Sequence, residues 1–187
     1  MDLKKPEIHF PSKKTMSYLK NIFTTGAFSK TPFRVLKRII DEVGVPDPAL
    51  VIELGAGKGE ITGNILTKLQ KPFPPYLAFE INKNFASELR KNFKDITVLE
   101  LDALNFAKFA PEGADLIICS LPISFFTKKN IDSLLEKIKQ KTLPGGKAII
   151  LFHAFWLIPK LQKILTKSRL IRIPHIPPYY IIVYNPL

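Results

Sequence analysis

Val51-Ile-Glu-Leu-Gly-Ala-Gly-Lys-Gly-Glu60 decides the fold. An apolar run carrying one acid, Glu53, passes through glycines at alternate positions, 55, 57 and 59, into a segment with helical spacing. Glycine lets a backbone come close to a ligand and adopt φ values that a side chain forbids. One helix length later, Tyr76-Leu-Ala-Phe-Glu80-Ile-Asn82 repeats the pattern of an apolar run ending in an acid. Together they predict a parallel α/β sheet whose first loop faces a nucleoside cofactor. Glu80, at the tip of the second strand, is placed to accept hydrogen bonds from two ribose hydroxyls. The spacing is Glu-x-Gly-x-Gly-x-Gly rather than Gly-x-Gly-x-x-Gly, and no Gly-Lys-Ser/Thr follows to cradle a triphosphate.

The alternation continues along the chain. Val98-Leu-Glu-Leu-Asp102-Ala103 reads as a third strand ending in an acid, and Ala114–Cys119 as a fourth, running into Ser120-Leu-Pro-Ile123. Strands are expected near 50–54, 76–80, 96–100, 114–119 and 146–152, with helices near 59–70, 83–93, 130–141 and 156–167. Lys141-Thr-Leu-Pro-Gly-Gly-Lys147 reads as a turn before the fifth strand, and Arg169–Ile173 and Tyr180–Tyr184 as two more strands around Pro174-His-Ile-Pro-Pro178. Upstream, Ser12 or Ser17 opens a short basic helix through Met16, Tyr18, Leu19, Ile22 and Phe23; Thr31-Pro32 opens a second, stopping before Gly44. Residues 1–45 thus form a basic helical extension, and 46–187 the body of one structural domain.

Composition narrows the function. The chain of 187 residues is 46% hydrophobic, enough for one substantial core. Its single cysteine, Cys119, excludes an internal disulfide framework and sits in an apolar strand, where packing is its expected role. No segment reaches the ~18–20 apolar residues that span a bilayer, and the N-terminus lacks the apolar core of a secretion signal. These features imply a cytoplasmic or peripheral protein. The formal charge is +12, and residues 1–38 carry nine Lys/Arg against Asp2 and Glu7. Residues 156–187 add Lys160, Lys163, Lys167, Arg169 and Arg172 with no acid. A chain basic at both ends attracts a polyanion, either an anionic membrane surface or nucleic acid. A Lys-rich surface unrelated to any partner is the plainer alternative.

Taken together, these motifs resemble the S-adenosylmethionine (SAM) site of Rossmann-like methyltransferases. That resemblance implies a seven-stranded, mostly parallel sheet flanked by helices, whose last strand runs antiparallel. It places Glu53, Gly55, Ala56, Gly57, Gly59, Glu80, Ile81, Asp102, Ala103, Ser120 and Leu121 around the cofactor. Asp102 would bond the adenine amino group and Ala103 would lie beside the ring. No metal is implied.

Two families share this signature. Ile52–Thr62 and Phe79-Glu-Ile-Asn82 resemble the ribosomal RNA adenine dimethylases, which hold the flipped base with an Asn-Leu-Pro-Tyr type motif. Here the corresponding residues are Ser120-Leu121-Pro122-Ile123, without the amide or the adjacent aromatic, and that family's helical C-terminal domain is not expected. The chain also resembles the short bacterial phospholipid N-methyltransferases, which methylate phosphatidylethanolamine. The likeness rests on length, the basic start, Gly26-Ala27-Phe28-Ser29, the Ser120–Ile123 turn and His175-Ile176-Pro177-Pro178-Tyr179. It implies a phospholipid substrate reached from the inner face of the membrane through the basic helix. An ethanolamine nitrogen arrives as ammonium and must lose a proton before attack. Ser120 (hydroxyl or carbonyl), Tyr18, His153 and Tyr179 are the candidates to hydrogen-bond it, and Arg172 or an N-terminal Lys to meet the phosphate. His153 has a plain structural role as its alternative, and Tyr179 that of a strand-start residue. An RNA, small-molecule or protein acceptor, or a SAM-binding adaptor without turnover, are the other functions the sequence admits.

Overall fold

The computed structural model describes residues 31–186 apart from Pro46 and Gln70. The first basic helix expected from sequence, Tyr18 with it, lies outside the described residues.

β1 (Val51–Leu54) is buried along its whole length because strands flank it and helices cover both its faces. It pairs in parallel with β2 (Tyr76–Phe79) on one side and β4 (Ala114–Cys119) on the other. β3 (Thr97–Leu99), β5 (Thr142–Phe152), β6 (Arg169–Ile173) and β7 (Tyr179–Tyr184) complete a seven-stranded sheet of order β3-β2-β1-β4-β5-β7-β6. β7 alone runs antiparallel to its neighbours β5 and β6. The chain leaves β1 toward β2 and returns to β4 on the other side, so the crevice between those two strand ends is where such sheets take ligands.

Helices α1 (Phe33–Glu42), α2 (Glu60–Leu69) and α3 (Lys83–Asn92) cover one face through Val35, Ile39, Ile61, Ile65, Ala86 and Leu89. On the other lie α4 (Lys128–Lys141), α5 (Ile158–Ile164) and a 3₁₀ turn over Ala103–Lys108. Ile131, Leu134, Leu135, Ile138, Leu161 and Phe106 are buried there. Helices of about ten residues are marginal alone, whereas each buried Leu or Ile contributes about 1.5–3 kcal/mol, so packing holds them. α1 runs down the length of the sheet. At its start the Thr31 N–H donates to Glu60 at 2.8 Å, and at its end Lys147 Nζ donates to the Glu42 carbonyl at 2.7 Å.

Several boundaries differ from the sequence-based expectation, each for a local reason. α4 begins at Lys128 because the Thr127 hydroxyl accepts the Asn130 N–H. The turn expected at 141–147 lies inside β5: Thr142 pairs with Ala114 and Lys147 with Leu116, leaving 143–146 as a bulge with Gly145 at φ +78°. The helix expected over 156–167 is shorter, opening as a 3₁₀ turn at Phe155–Leu157 and capped at Leu165.

Candidate cofactor and methyl-transfer site

The loops at the carboxyl ends of β1, β2, β3, β4 and β5 gather the sequence-selected residues on one edge of the sheet. Gly55–Gly59 follow β1, Glu80 and Ile81 follow β2, and Asp102 caps the turn after β3. Ser120 and Leu121 follow β4, and His153 follows β5. Because β7 is antiparallel, its first residue, Tyr179, reaches the same edge. The sequence-selected residues within the described part of the chain therefore share one edge; Tyr18 lies outside that part.

Glu80 organises the glycine loop. Its Oε2 accepts the Gly57 N–H at 2.8 Å and its Oε1 the Asn82 N–H at 2.7 Å, while Asn82 Oδ1 caps α3. Burial raises the Glu80 pKa, and the N–H donors of Asn82, Gly57 and Ile81 oppose that. Each carboxylate oxygen keeps a lone pair beyond the one its N–H uses, which suits a pair of ribose hydroxyls. Gly57 has φ +56° and a Cβ there would meet none of the described residues within 4 Å, so among them the backbone borders open space. Gly59 is the opposite case: at φ +89°, a Cβ would lie 2.3 Å from the Phe93 ring.

Glu53 lies beneath that loop, fully buried. Its Oε2 accepts both the Thr62 and Tyr76 hydroxyls at 2.6 Å, and its Oε1 has no partner among the described residues. Burial pushes the carboxyl up to about 7, the two hydroxyls pull it down, and the Glu80 charge adds to the rise. Burial likewise holds the Tyr76 phenol far above its usual range. Ser120 closes the crevice: its hydroxyl donates to the Gly55 carbonyl at 2.8 Å and its N–H to the Leu54 carbonyl at 3.0 Å. The Ser120 proton is therefore spent on clamping the glycine loop, although its oxygen keeps lone pairs. Asp102 Oδ1 accepts the Leu104 N–H at 2.9 Å, and burial raises its pKa; Ala103 beside it is buried.

At the β5–β7 end, His153 Nδ1 lies 2.9 Å from the Pro178 carbonyl and its ring packs 4.0 Å from that of Tyr179. His175 packs on Tyr179 as well, with ring centroids 5.1 Å apart. Cys119 is buried and its thiol pushed up to about 12 by that burial, which leaves it inert at neutral pH. Two open clefts of about 590 and 390 Å³ share Pro72 and Phe73, at the opposite edge of the sheet.

The partners Thr62 and Tyr76 of Glu53 were not selected from sequence. Tyr76 opens an apolar strand and Thr62 sits in an amphipathic helix, so nothing local marks either as the donor to a buried acid.

A crevice at the β1/β4 switch point, a glycine loop bordering open space among the described residues and an acid with free lone pairs at the second strand tip are the features that would hold a nucleoside cofactor. A family model described as a methyltransferase domain matches residues 52–148, and the chain belongs to that family. The chain carries a methyltransferase domain, and its fold is that of SAM-dependent methyltransferases of known structure. The ribosomal RNA small subunit methyltransferase A of Thermotoga petrophila is 33% identical over 118 residues, which is 59% of this chain and 44% of that protein. The chain thus spans less than half the length of that relative. A methyltransferase-like protein of Schizosaccharomyces pombe is 24% identical over 74% of this chain and 53% of its own. Among solved structures, a TehB-like SAM-dependent methyltransferase from Corynebacterium glutamicum superposes with TM-score 0.63 at 16% identity, covering 94% of this chain and 98% of that one. A Thermus thermophilus 16S rRNA N2 G1207 methyltransferase in complex with AdoMet and guanosine gives TM-score 0.66 at 16% identity, over 87% of this chain and 45% of that one.

Proposed function

We propose that this methyltransferase acts on the amine headgroup of a membrane phospholipid, such as phosphatidylethanolamine, at an anionic membrane surface. The observation that carries this is where the exposed apolar side chains lie. Of six exposed large apolar side chains among the described residues, Phe33, Phe125, Phe155, Trp156 and Ile176, 76%, 53%, 62%, 62% and 95% exposed, belong to segments at the same sheet edge as the glycine loop; the sixth, Phe109 at 38%, packs edge-on to Phe79. Phe155 and Trp156 follow β5, Ile176 lies between β6 and β7, Phe125 follows β4, and Phe33 starts α1 beside Glu60. Exposed Lys128, Lys129 and Arg172 share this edge. Aromatic side chains with adjacent cations suit a lipid interface, where rings enter the acyl boundary and cations meet phosphates. No described helix is long and apolar enough to cross a membrane, so peripheral docking is the mode proposed.

SAM supplies an electrophilic methyl on a sulfonium, held in this proposal by Glu80 at the ribose, Asp102 and Ala103 at the adenine, and the Gly55–Gly59 backbone with Ile81 and Leu121. Glu53 ties β1 to α2 and β2 through Thr62 and Tyr76, and Ser120 ties the glycine loop to β4. The chain's own work is to position the amine, exclude water and remove a proton.

A second acceptor, RNA, is favoured by the 33% identity to a ribosomal RNA methyltransferase. Purified protein with labelled SAM and vesicles of phosphatidylethanolamine and phosphatidylglycerol distinguishes the two. Label in extracted lipid supports the lipid acceptor. Label appearing only with added RNA, in nuclease-sensitive material, overturns it.

A further inference from the structure

We propose that His153 is the catalytic base, its Nε2 taking the proton that an acceptor ammonium must lose before attack. This rests on the amine acceptor proposed above. Nδ1 lies 2.9 Å from the Pro178 carbonyl, and a carbonyl only accepts, so Nδ1 carries the hydrogen. In the neutral ring Nε2 then holds a bare lone pair, on the far side of an exposed imidazole. The ring is fixed rather than free to spin: Tyr179, buried at the start of β7, packs against it at 4.0 Å.

Register places it at the same strand ends as Ser120. Cys119 pairs with Ile150, so Ser120 and His153 extend from adjacent strands just past that pair. Other ionisable groups at the cluster are the Tyr179 phenol on β7, His175, whose ring also packs on Tyr179, and Glu60 of α2, whose charge reaches Tyr179. Arg172 on β6 is paired with Tyr180 across from them. Of the two histidines at this edge, His175 is tied within its own loop, Nδ1 to the Pro177 carbonyl at 3.1 Å, and lies beyond β5 from the crevice.

The step balances without another reactant. An N–H bond of the ammonium breaks and its proton goes to Nε2. The freed lone pair forms a bond to the methyl carbon, and the C–S electron pair returns to sulfur as a neutral thioether. The imidazolium then releases its proton to water.

Two substitutions separate proton transfer from loop support. In His153→Asn the amide nitrogen can still donate to the Pro178 carbonyl, but nothing replaces Nε2. In His153→Gln that tie is lost while a polar group remains further out. On phosphatidylethanolamine vesicles both variants should lose about 100-fold or more in kcat, with an unchanged dissociation constant for SAM. Between about pH 7 and 9 the variants' rate should climb about tenfold per unit, as the free amine does, and the wild-type rate should climb less steeply. ¹⁵N spectra should show His153 as the Nδ1–H tautomer; only His9 and His175 share the ring region. Wild-type turnover with His153→Asn within threefold overturns the proposal alone, as does an Nε2–H tautomer. Absence of wild-type turnover on these vesicles overturns the lipid acceptor and this proposal with it.

Discussion

Replacing Glu80 tests the cofactor site most sharply, because the carboxylate has two functions that different variants separate. It holds the loop through the Gly57 and Asn82 N–H groups. Its remaining lone pairs are the proposed ribose ligands. Hydrogen bonds to a charged group contribute about 1.5–3 kcal/mol each, so losing two removes at least about 3 kcal/mol of SAM affinity. At about 1.4 kcal/mol per tenfold, Glu80→Ala should raise the SAM dissociation constant by about 100-fold or more. That variant also strands two backbone donors near the core. Glu80→Gln keeps the volume but offers one acceptor oxygen, so either the Gly57 or the Asn82 N–H loses its partner, and the ribose bonds become neutral ones of about 0.5–1.5 kcal/mol. Losing about 1 kcal/mol from each of two bonds predicts a loss of about 30-fold for it, with a smaller change in thermal midpoint than for Ala. Isothermal titration with SAM reads the affinity and thermal unfolding without ligand reads the fold. A dissociation constant within threefold of wild type in both variants would refute the placement of the ribose.

Glu53 makes stability depend on pH. Its folded-state carboxyl is raised from 4.5 to about 7, so between those values the folded protein holds a proton that the unfolded chain has released. Stability therefore falls as pH rises through that window. The thermal midpoint should drop between about pH 5 and 8, and Glu53→Gln should flatten that slope; parallel slopes would contradict it. Gly59→Ala would place a Cβ 2.3 Å from Phe93 at φ +89°. A destabilisation of about 2–4 kcal/mol by urea denaturation is expected, from overpacking and left-handed strain together. Changing both Phe155 and Trp156 to Ser should weaken binding to anionic vesicles by about tenfold or more, since each buried aromatic contributes about 1.5–3 kcal/mol. SAM affinity should stay unchanged, and unaltered sedimentation with vesicles would count against the proposed interface.

The sheet was legible because its strands are short apolar runs ending in acids or glycine turns. Period and punctuation placed β1, β2, β3 and β4 to within a residue or two. β5 was less legible, since Gly145 and Gly146 read as a turn but occupy a bulge between paired residues. Such a bulge depends on the neighbouring strand, which local pattern does not report. α4 starts two residues before the expected 130 because the Thr127 hydroxyl caps it, a contact that apolar periodicity does not report. At the site, spacing found Glu80 and the glycines because each acts through its own backbone neighbourhood. Thr62 and Tyr76 escaped because they serve Glu53 across 9 and 23 residues of chain. The rim of Phe155, Trp156 and Ile176 was equally hidden, since only the antiparallel β7 brings the last loop to the same edge as the first.

Methyl transfer from labelled SAM into a whole-cell extract, partitioned between organic solvent and water, tests the central claim most directly. A lipid-amine methyltransferase leaves label in the organic phase, in a species that chromatographs as an N-methylated aminophospholipid. Label confined to the aqueous phase would contradict that assignment.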